Sequence, residues 1–314
     1  MENALFTCER LADITGVDAP AVLPFSTGVI GQQLPVDRLT AALPAAVDAL
    51  AEDCWMEAAR AIMTTDTLPK GVSRTLDVDG STVTITGIAK GSGMIRPDMA
   101  TMLSYVATDA QIDQAILQQL LGAAVDKSFN SITVDGDTST NDACVLIATG
   151  ASGVHIDKGS RLAAFTAVLD EVMTTLAQAI VRDGEGATKF ISLRVSGAKD
   201  TEEAREVAFT VAHSPLVKTA MFASDANWGR ILAAIGRASV DSLNVSLVDI
   251  AVGGVSIVEA GEPAASYTEE QGAAAFARAE IEVHISLHRG DVEATVWTCD
   301  FSHEYVSINA DYRS

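Results

Sequence analysis

The chain has 314 residues, 48% hydrophobic and 20% charged, with a formal net charge of −21 at pH 7. Length and composition suit a globular protein with a sizeable core, in one large domain or two. The acidity argues against nucleic acid as a partner, because displacing counterions from phosphates needs a basic footprint that is absent here; a small charged substrate can still enter a local basic pocket.

Residues 1–36 mix short apolar runs with Pro20, Pro24 and Gly28. From Val36 to Met63, the spacing of Leu39, Leu43, Ala46, Leu50, Trp55, Ala58 and Ile62 predicts two helices, broken near Pro44 or Asp53. Alternation around Val83, Ile85 and Gly87 predicts a strand, and a second strand-like segment runs from Met102 to Ala107. A helix is expected at 109–124 and a buried strand at 144–149. Leu162, Phe165, Leu169, Val172, Met173, Leu176 and Ile180 form a helical stripe over 161–181, with Ser160 as its expected N-cap. A strand at 190–195 and a helix at 202–211 capped by Thr201 follow, and beyond Leu243 the pattern is largely β, at 245–252, 280–287 and 292–298. Helices and strands intersperse without a strict βαβ repeat, which favours α+β layers over a doubly wound sheet.

Cys8, Cys54, Cys144 and Cys299 are far apart and form no C-x-x-C pair, so reduced thiols are expected. His284 and His288 lie in an alternating, strand-like context and read as surface histidines rather than metal ligands. Thr133–Asp142 is rich in Asp and Thr, but the sixth position from Asp135 is Thr140 rather than glycine, which breaks the EF-hand order. It reads as a polar turn packed near the site. No metal site is expected. No run reaches the apolar length of a membrane span, and no signal peptide is legible; no membrane partner and a cytoplasmic location are expected.

The segment Lys90-Gly91-Ser92-Gly93-Met94-Ile95-Arg96-Pro97-Asp98-Met99-Ala100-Thr101 carries the most chemistry. By itself it reads either as a loop feeding a strand or as a masked nucleophile. Cutting the Ala100–Thr101 bond would free an α-amine on Thr101 with a pKa of about 7.7–8.0, able to act as general base for its own hydroxyl.

This segment resembles the autoprocessing segment of the ornithine acetyltransferase family, the glutamate N-acetyltransferases of arginine biosynthesis. Further matches run in family order: Ser26–Gly31, Ala61–Thr67, Ser128–Asn130, Thr133–Asp142, Arg182–Lys189, Asn227–Arg230 and Ile308–Tyr312. The resemblance implies an α+β fold, a layered α/β/β/α-type sandwich that is N-terminal-nucleophile-like (DmpA/ornithine acetyltransferase-like). It implies cleavage between Ala100 and Thr101, Thr101 as nucleophile, and Thr27 with Gly28 as oxyanion hole. Thr64, Lys90, Thr101, Glu185, Asn309 and Ser314 are the implied substrate contacts; neighbouring Thr65 and Thr67 leave the Thr64 register open. A cation at Lys90 suits an amino-acid carboxylate, and Glu185 suits an amino group. Gly184 fits a helix C′ position.

The implied reaction moves acetyl from N-acetylornithine to glutamate by a ping-pong route, with no cofactor; use of acetyl-CoA as donor is left open. The implied organisation is 1–100 as the remainder of an α subunit and 101–314 as a β subunit, assembled as an α2β2 heterotetramer. Two departures stand out. The chain enters the resemblance late, around Asn3-Ala4 and Leu11–Asp13, as if an N-terminal region were missing, and Asp98 stands where asparagine is expected. The alternatives are an N-terminal-nucleophile amidase or aminopeptidase, which passes the acyl group to water, and an inactive truncated relative.

Overall fold

The computed structural model describes residues 1–96 and 102–311. Ala100, Thr101 and Ser314, expected at the site, lie outside the described residues, as does Asp98. The chain opens with α1 (Glu2–Thr15), α2 (Val36–Asp48) and α3 (Trp55–Ala61). The Val36–Met63 pattern resolves as two helices separated near Asp53, while Pro44 is carried inside α2.

A four-stranded sheet follows, in the order β1 (Lys70–Val78), β2 (Ser81–Lys90), β3 (Leu103–Thr108) and β4 (Ala143–Ala148). Asp79 and Gly80, at φ 54° and 84°, make the β1–β2 turn, where two left-handed residues match the twist of a hairpin. β2 and β3 pair antiparallel with Lys90 opposite Leu103, and β3 and β4 run parallel. Between them lies α4 (Gln114–Lys127), which starts later than its apolar pattern suggests.

The long helix α5 (Gly159–Arg182) packs on β1 and β2 and also touches α4. Its stripe is buried at Phe165, Leu169, Val172, Met173, Leu176 and Ile180, each such side chain contributing roughly 1.5–3 kcal/mol on removal from water. Contrary to the sequence expectation, α5 is long and apolar enough to cross a membrane by length and composition. Its buried stripe belongs instead to the core around the first sheet. Its N-cap is Lys158, so Ser160 falls inside the first turn.

The second sheet has the order β10-β5-β9-β6-β7-β8, formed by β5 (Phe190–Ala198), β6 (Asp249–Val252), β7 (Val255–Glu259), β8 (Glu262–Pro263), β9 (Glu280–Ser286) and β10 (Val292–Cys299). Its core is closed by α6 (Thr201–Ala212), α7 (Pro215–Ala223), α8 (Trp228–Gly236) and α9 (Glu269–Phe276). Asp200, not Thr201, caps α6, accepting from Glu203 N at 2.8 Å. The expected strand at 245–252 begins only at Asp249, because Val245–Leu247 form a 3₁₀ turn. His284 lies on β9 beside Ser196, and His288 just beyond β9 pairs with Asp249. The chain closes with α10 (His303–Ala310). The architecture is α+β and layered, each sheet carrying its helices on a buried face.

Candidate active site

β2 delivers Lys90 to the interior at its last position, where the side chain is 2% exposed. The strand then breaks at Gly91, whose φ of 150° favours glycine. Asp66 fixes this exit. Its Oδ1 accepts from Gly91 N at 2.7 Å and from Lys70 Nζ at 2.7 Å, and its Oδ2 accepts from Thr64 N at 3.2 Å. Lys70 also donates to Asp183 at 2.6 Å, and Asp183 accepts from Thr67 N and Leu68 N. A buried carboxylate–ammonium–carboxylate chain therefore ties the Thr64–Leu68 turn, the start of the glycine loop and the end of α5 together.

The glycine loop meets Glu185 next. Glu185 N donates to Ser92 O at 2.8 Å, and Thr65 Oγ1 lies 2.6 Å from Ser92 Oγ. Asn309 Nδ2 of α10 donates to Glu185 Oε2 at 2.9 Å. The loop carrying Glu185 is anchored from below by Asp300, which accepts from Thr188 N and Lys189 N, both at 2.8 Å. Gly184 does follow the α5 C-cap, Asp183, but the left-handed glycine is Gly186 at φ 68°. A β-carbon there would strike Tyr305 N, so this glycine lets α10 dock against the loop.

These elements enclose a cavity of about 290 Å³. Thr27, Gly28, Thr64, Lys90, Glu185 and Asn309 all line it, drawn from five separate stretches of chain. Thr65 also faces the cavity, whereas Thr67 is spent on Asp183.

The site's electrostatics follow from burial. Desolvation pulls the Lys90 ammonium pKa below its ordinary value, against the attraction of Asp66, Asp142 and Glu185; Lys70 pushes the same way as burial. Lys90 lines the cavity, and Asp66, Asp142 and Glu185 are the nearby carboxylates that favour its charged form against burial. Burial works to raise Asp66, but the Gly91 N–H, Lys70 and the Thr64 N–H outweigh it and hold the carboxyl below its usual value. Asp142 is pushed up to about 7 by burial, despite the Met102 N–H and Lys90.

A family model described as the ArgJ family matches residues 1–314. The chain belongs to the ArgJ family. It is 58% identical over 311 residues to the arginine biosynthesis bifunctional protein ArgJ of Pseudomonas syringae pv. tomato, covering 98% of this chain and 77% of that one. The Pseudomonas fluorescens protein of the same description is 56% identical over the same coverage. A crystal structure of the arginine biosynthesis bifunctional protein ArgJ from Bacillus halodurans superposes with a TM-score of 0.65 at 42% identity, covering 68% of this chain and all of that one.

Within this ArgJ-family site, sequence reasoning did not name Ser92, Ser139 and Asn141 as lining residues, nor the Asp66–Lys70–Asp183 chain behind them; Thr65, which left the Thr64 register open, lines the cavity beside Thr64. Asp66 and Asp183 sit inside family-like segments, but the Lys70–Asp183 pair spans 113 positions and leaves no local spacing signal. The polar turn 133–142 does pack at the site: Ser139 and Asn141 line the cavity, and Asn141 Nδ2 donates to Ser26 O. Among the described residues no group of three or more His, Cys, Asp or Glu side chains is arranged to hold a metal.

Proposed function

We propose that the chain is a glutamate N-acetyltransferase of arginine biosynthesis, an ornithine acetyltransferase that moves acetyl from N-acetylornithine to glutamate. The observation that carries this reading is the single cavity shared by Thr27, Gly28, Thr64, Lys90, Glu185 and Asn309 in a chain of the ArgJ family. Lys90 takes the substrate carboxylate and Glu185, held by Asn309, takes the amino end, a charge pattern matched to an amino acid.

Thr101 is the nucleophile. Its hydroxyl attacks the Ala100 carbonyl, and the peptide C–N bond breaks to leave an ester on Oγ and a free α-amine. Water then hydrolyses the ester, leaving Ala100 as a carboxylate and freeing the hydroxyl of Thr101. Its new α-amine then takes the hydroxyl proton as Thr101 Oγ adds to the acetyl carbonyl. Thr27 and the Gly28 backbone supply donors to the developing oxyanion. Collapse expels ornithine, which leaves with the proton, and glutamate then takes acetyl from Thr101 by the reverse steps. The strand that begins at Leu103 pairs with the strand that ends at Lys90, which supports a shared site. The two chains remain together as α2β2 in the cytoplasm.

The testing experiment is N-terminal sequencing and acetyl transfer with wild type, Thr101→Ala and Thr101→Ser. The expected wild type shows a chain beginning Thr101-Met102-Leu103 and an acetyl group on it after exposure to N-acetylornithine alone. Thr101→Ala loses both and Thr101→Ser keeps some of each. Acetyl transfer by the alanine variant would overturn the mechanism, and hydrolysis without transfer to glutamate would favour an amidase.

A further inference from the structure

Residues 133–142, leading into β4, grip the chain on both sides of the glycine segment. Upstream, Thr133 Oγ1 donates to Ile95 O at 2.8 Å and Val134 N donates to the same carbonyl at 2.9 Å. Asp135 accepts from Met94 N at 2.6 Å and Ile95 N at 3.1 Å. Thus Met94, in a left-handed conformation at φ 55°, is held by its own N–H and through both backbone polar groups of Ile95, and such backbone persists only where its surroundings over-determine it. His213 Nε2 lies 3.1 Å from Thr133 Oγ1. The Thr133 hydrogen is already given to a carbonyl, so His213 Nε2 must carry a proton and donate, extending the grip to the end of α6. Burial first, then Arg96, Lys218 and Arg237, lower the His213 pKa to about 4, against Glu206, which keeps the ring neutral near pH 7.

Downstream, Asp142 Oδ1 accepts from Met102 N at 2.8 Å, and Ala143 N donates to Met102 O at 3.1 Å. Between the two grips, Asn141 holds Ser26 O, next to Thr27. One ten-residue stretch therefore fixes Met94–Ile95, Met102 and Ser26 relative to one another.

We propose that residues 133–142 are a brace for backbone processing, in which Asp135 and Asp142 are positioning residues that fix the two flanks of the Ala100–Thr101 bond. This rests on the self-cleavage reading. Intramolecular attack of a hydroxyl on the preceding carbonyl gains its rate from fixed geometry, and flanks held to one loop supply it. After cleavage Ile95 and Met102 keep their hydrogen bonds to that loop, because none of those bonds runs through the peptide that was cut.

The test combines the rate of appearance of the chain beginning at Thr101 with hydrogen exchange at the Met94, Ile95 and Met102 amides. Asp135→Ala and Asp142→Ala are expected to slow processing about fivefold or more, as for leaving a buried backbone N–H without its acceptor. Each should also expose the amides it holds. Asp142→Asn retains a side-chain oxygen for Met102 N and is expected to restore both readouts, which general destabilisation would not do. Wild-type processing and exchange in both alanine variants overturn the brace, as does failure of Asp142→Asn to exceed Asp142→Ala. Should Asp135→Ala not fold, Asp135→Asn keeps one acceptor oxygen, and full protection of both Met94 and Ile95 in it overturns the role. If wild type yields no chain beginning at Thr101, self-cleavage fails, and the brace stands or falls on exchange in the uncut chain.

Discussion

The Glu185 carboxylate occupies the space where a side chain at Gly93 would begin: a β-carbon on Gly93 would collide with Glu185 Cδ and both carboxylate oxygens. Gly93 is not needed here for a left-handed turn, since its φ lies outside that range. Its role is to leave room.

Gly93→Ala is therefore expected to move Glu185 rather than unfold the protein, because the clash falls on the far end of a flexible side chain. The KM for N-acetylornithine should rise by about tenfold or more, reflecting roughly 1.5–3 kcal/mol for a displaced charged contact. Thermal stability and Thr101 processing should change little. Steady-state kinetics beside a melting curve checks this; an unchanged KM would mean that Glu185 does not contact the substrate.

Asn309 connects the C-terminal helix to the same carboxylate, donating to Glu185 Oε2 at 2.9 Å while also bonding Tyr305 O at 3.0 Å. Termini are usually where deletion is tolerated. Removal of residues 309–314 should instead lower acetyl transfer to glutamate while processing, which needs no substrate, continues. Asn309→Ala should reproduce part of the loss. Full transfer by the truncated chain would remove Asn309 and Ser314 from the site.

Asp66 predicts a different kind of defect. Its side chain is buried and joins Lys70, Gly91 N and Thr64 N. Asp66→Ala should cost about 3–5 kcal/mol, as expected when one partner of a buried ion pair is removed, and should loosen both Thr64 and Lys90. The acid side carries the sign. A carboxyl depressed below its usual 3.8 in the folded state stabilises above that value and loses the contribution as pH falls below it. Denaturant unfolding from pH 6 downward should show wild type losing its advantage over Asp66→Asn below about pH 4.

Much of this architecture is legible from side-chain periodicity. The α5 stripe repeats at helical spacing over about five turns, and Val83 and Ile85 alternate toward the core. α1 escapes such reading because only Cys8 among its residues is buried, so it has no apolar face long enough to notice. β1 escapes it because its middle is largely exposed and only its ends, Lys70 and Val78, are buried. One of those ends is a lysine, whose burial makes sense only once Asp66 and Asp183 are seen beside it. Caps are similarly elusive: Asp200 and Thr201 are adjacent N-cap types, and only the bond to Glu203 N separates them. Positions such as Lys90 and Glu185 stand out through motif resemblance, whereas the brace at 133–142 acts through backbone N–H groups on distant chain, which no side-chain pattern records.

Asp142 gives the last prediction, and its sign is opposite to that of Asp66. Burial pushes its carboxyl up to about 7, with the Met102 N–H and Lys90 only partly offsetting the cost of charge. A carboxyl raised in the folded state binds its proton more tightly there than in the unfolded chain. Its contribution to stability is thus fully present below the unfolded value near 3.8 and is lost as pH rises through about 7. Asparagine at this position keeps an oxygen for Met102 N without ever ionising. Asp142→Asn should therefore gain stability relative to wild type as pH rises from about 4 to 8, and the gain should level off above about pH 8 once wild-type Asp142 is ionised. Chemical denaturation of both proteins across that range measures it. A stability difference that stays flat from pH 4 to 8 would show that Asp142 titrates like an exposed carboxylate and is not buried against Met102.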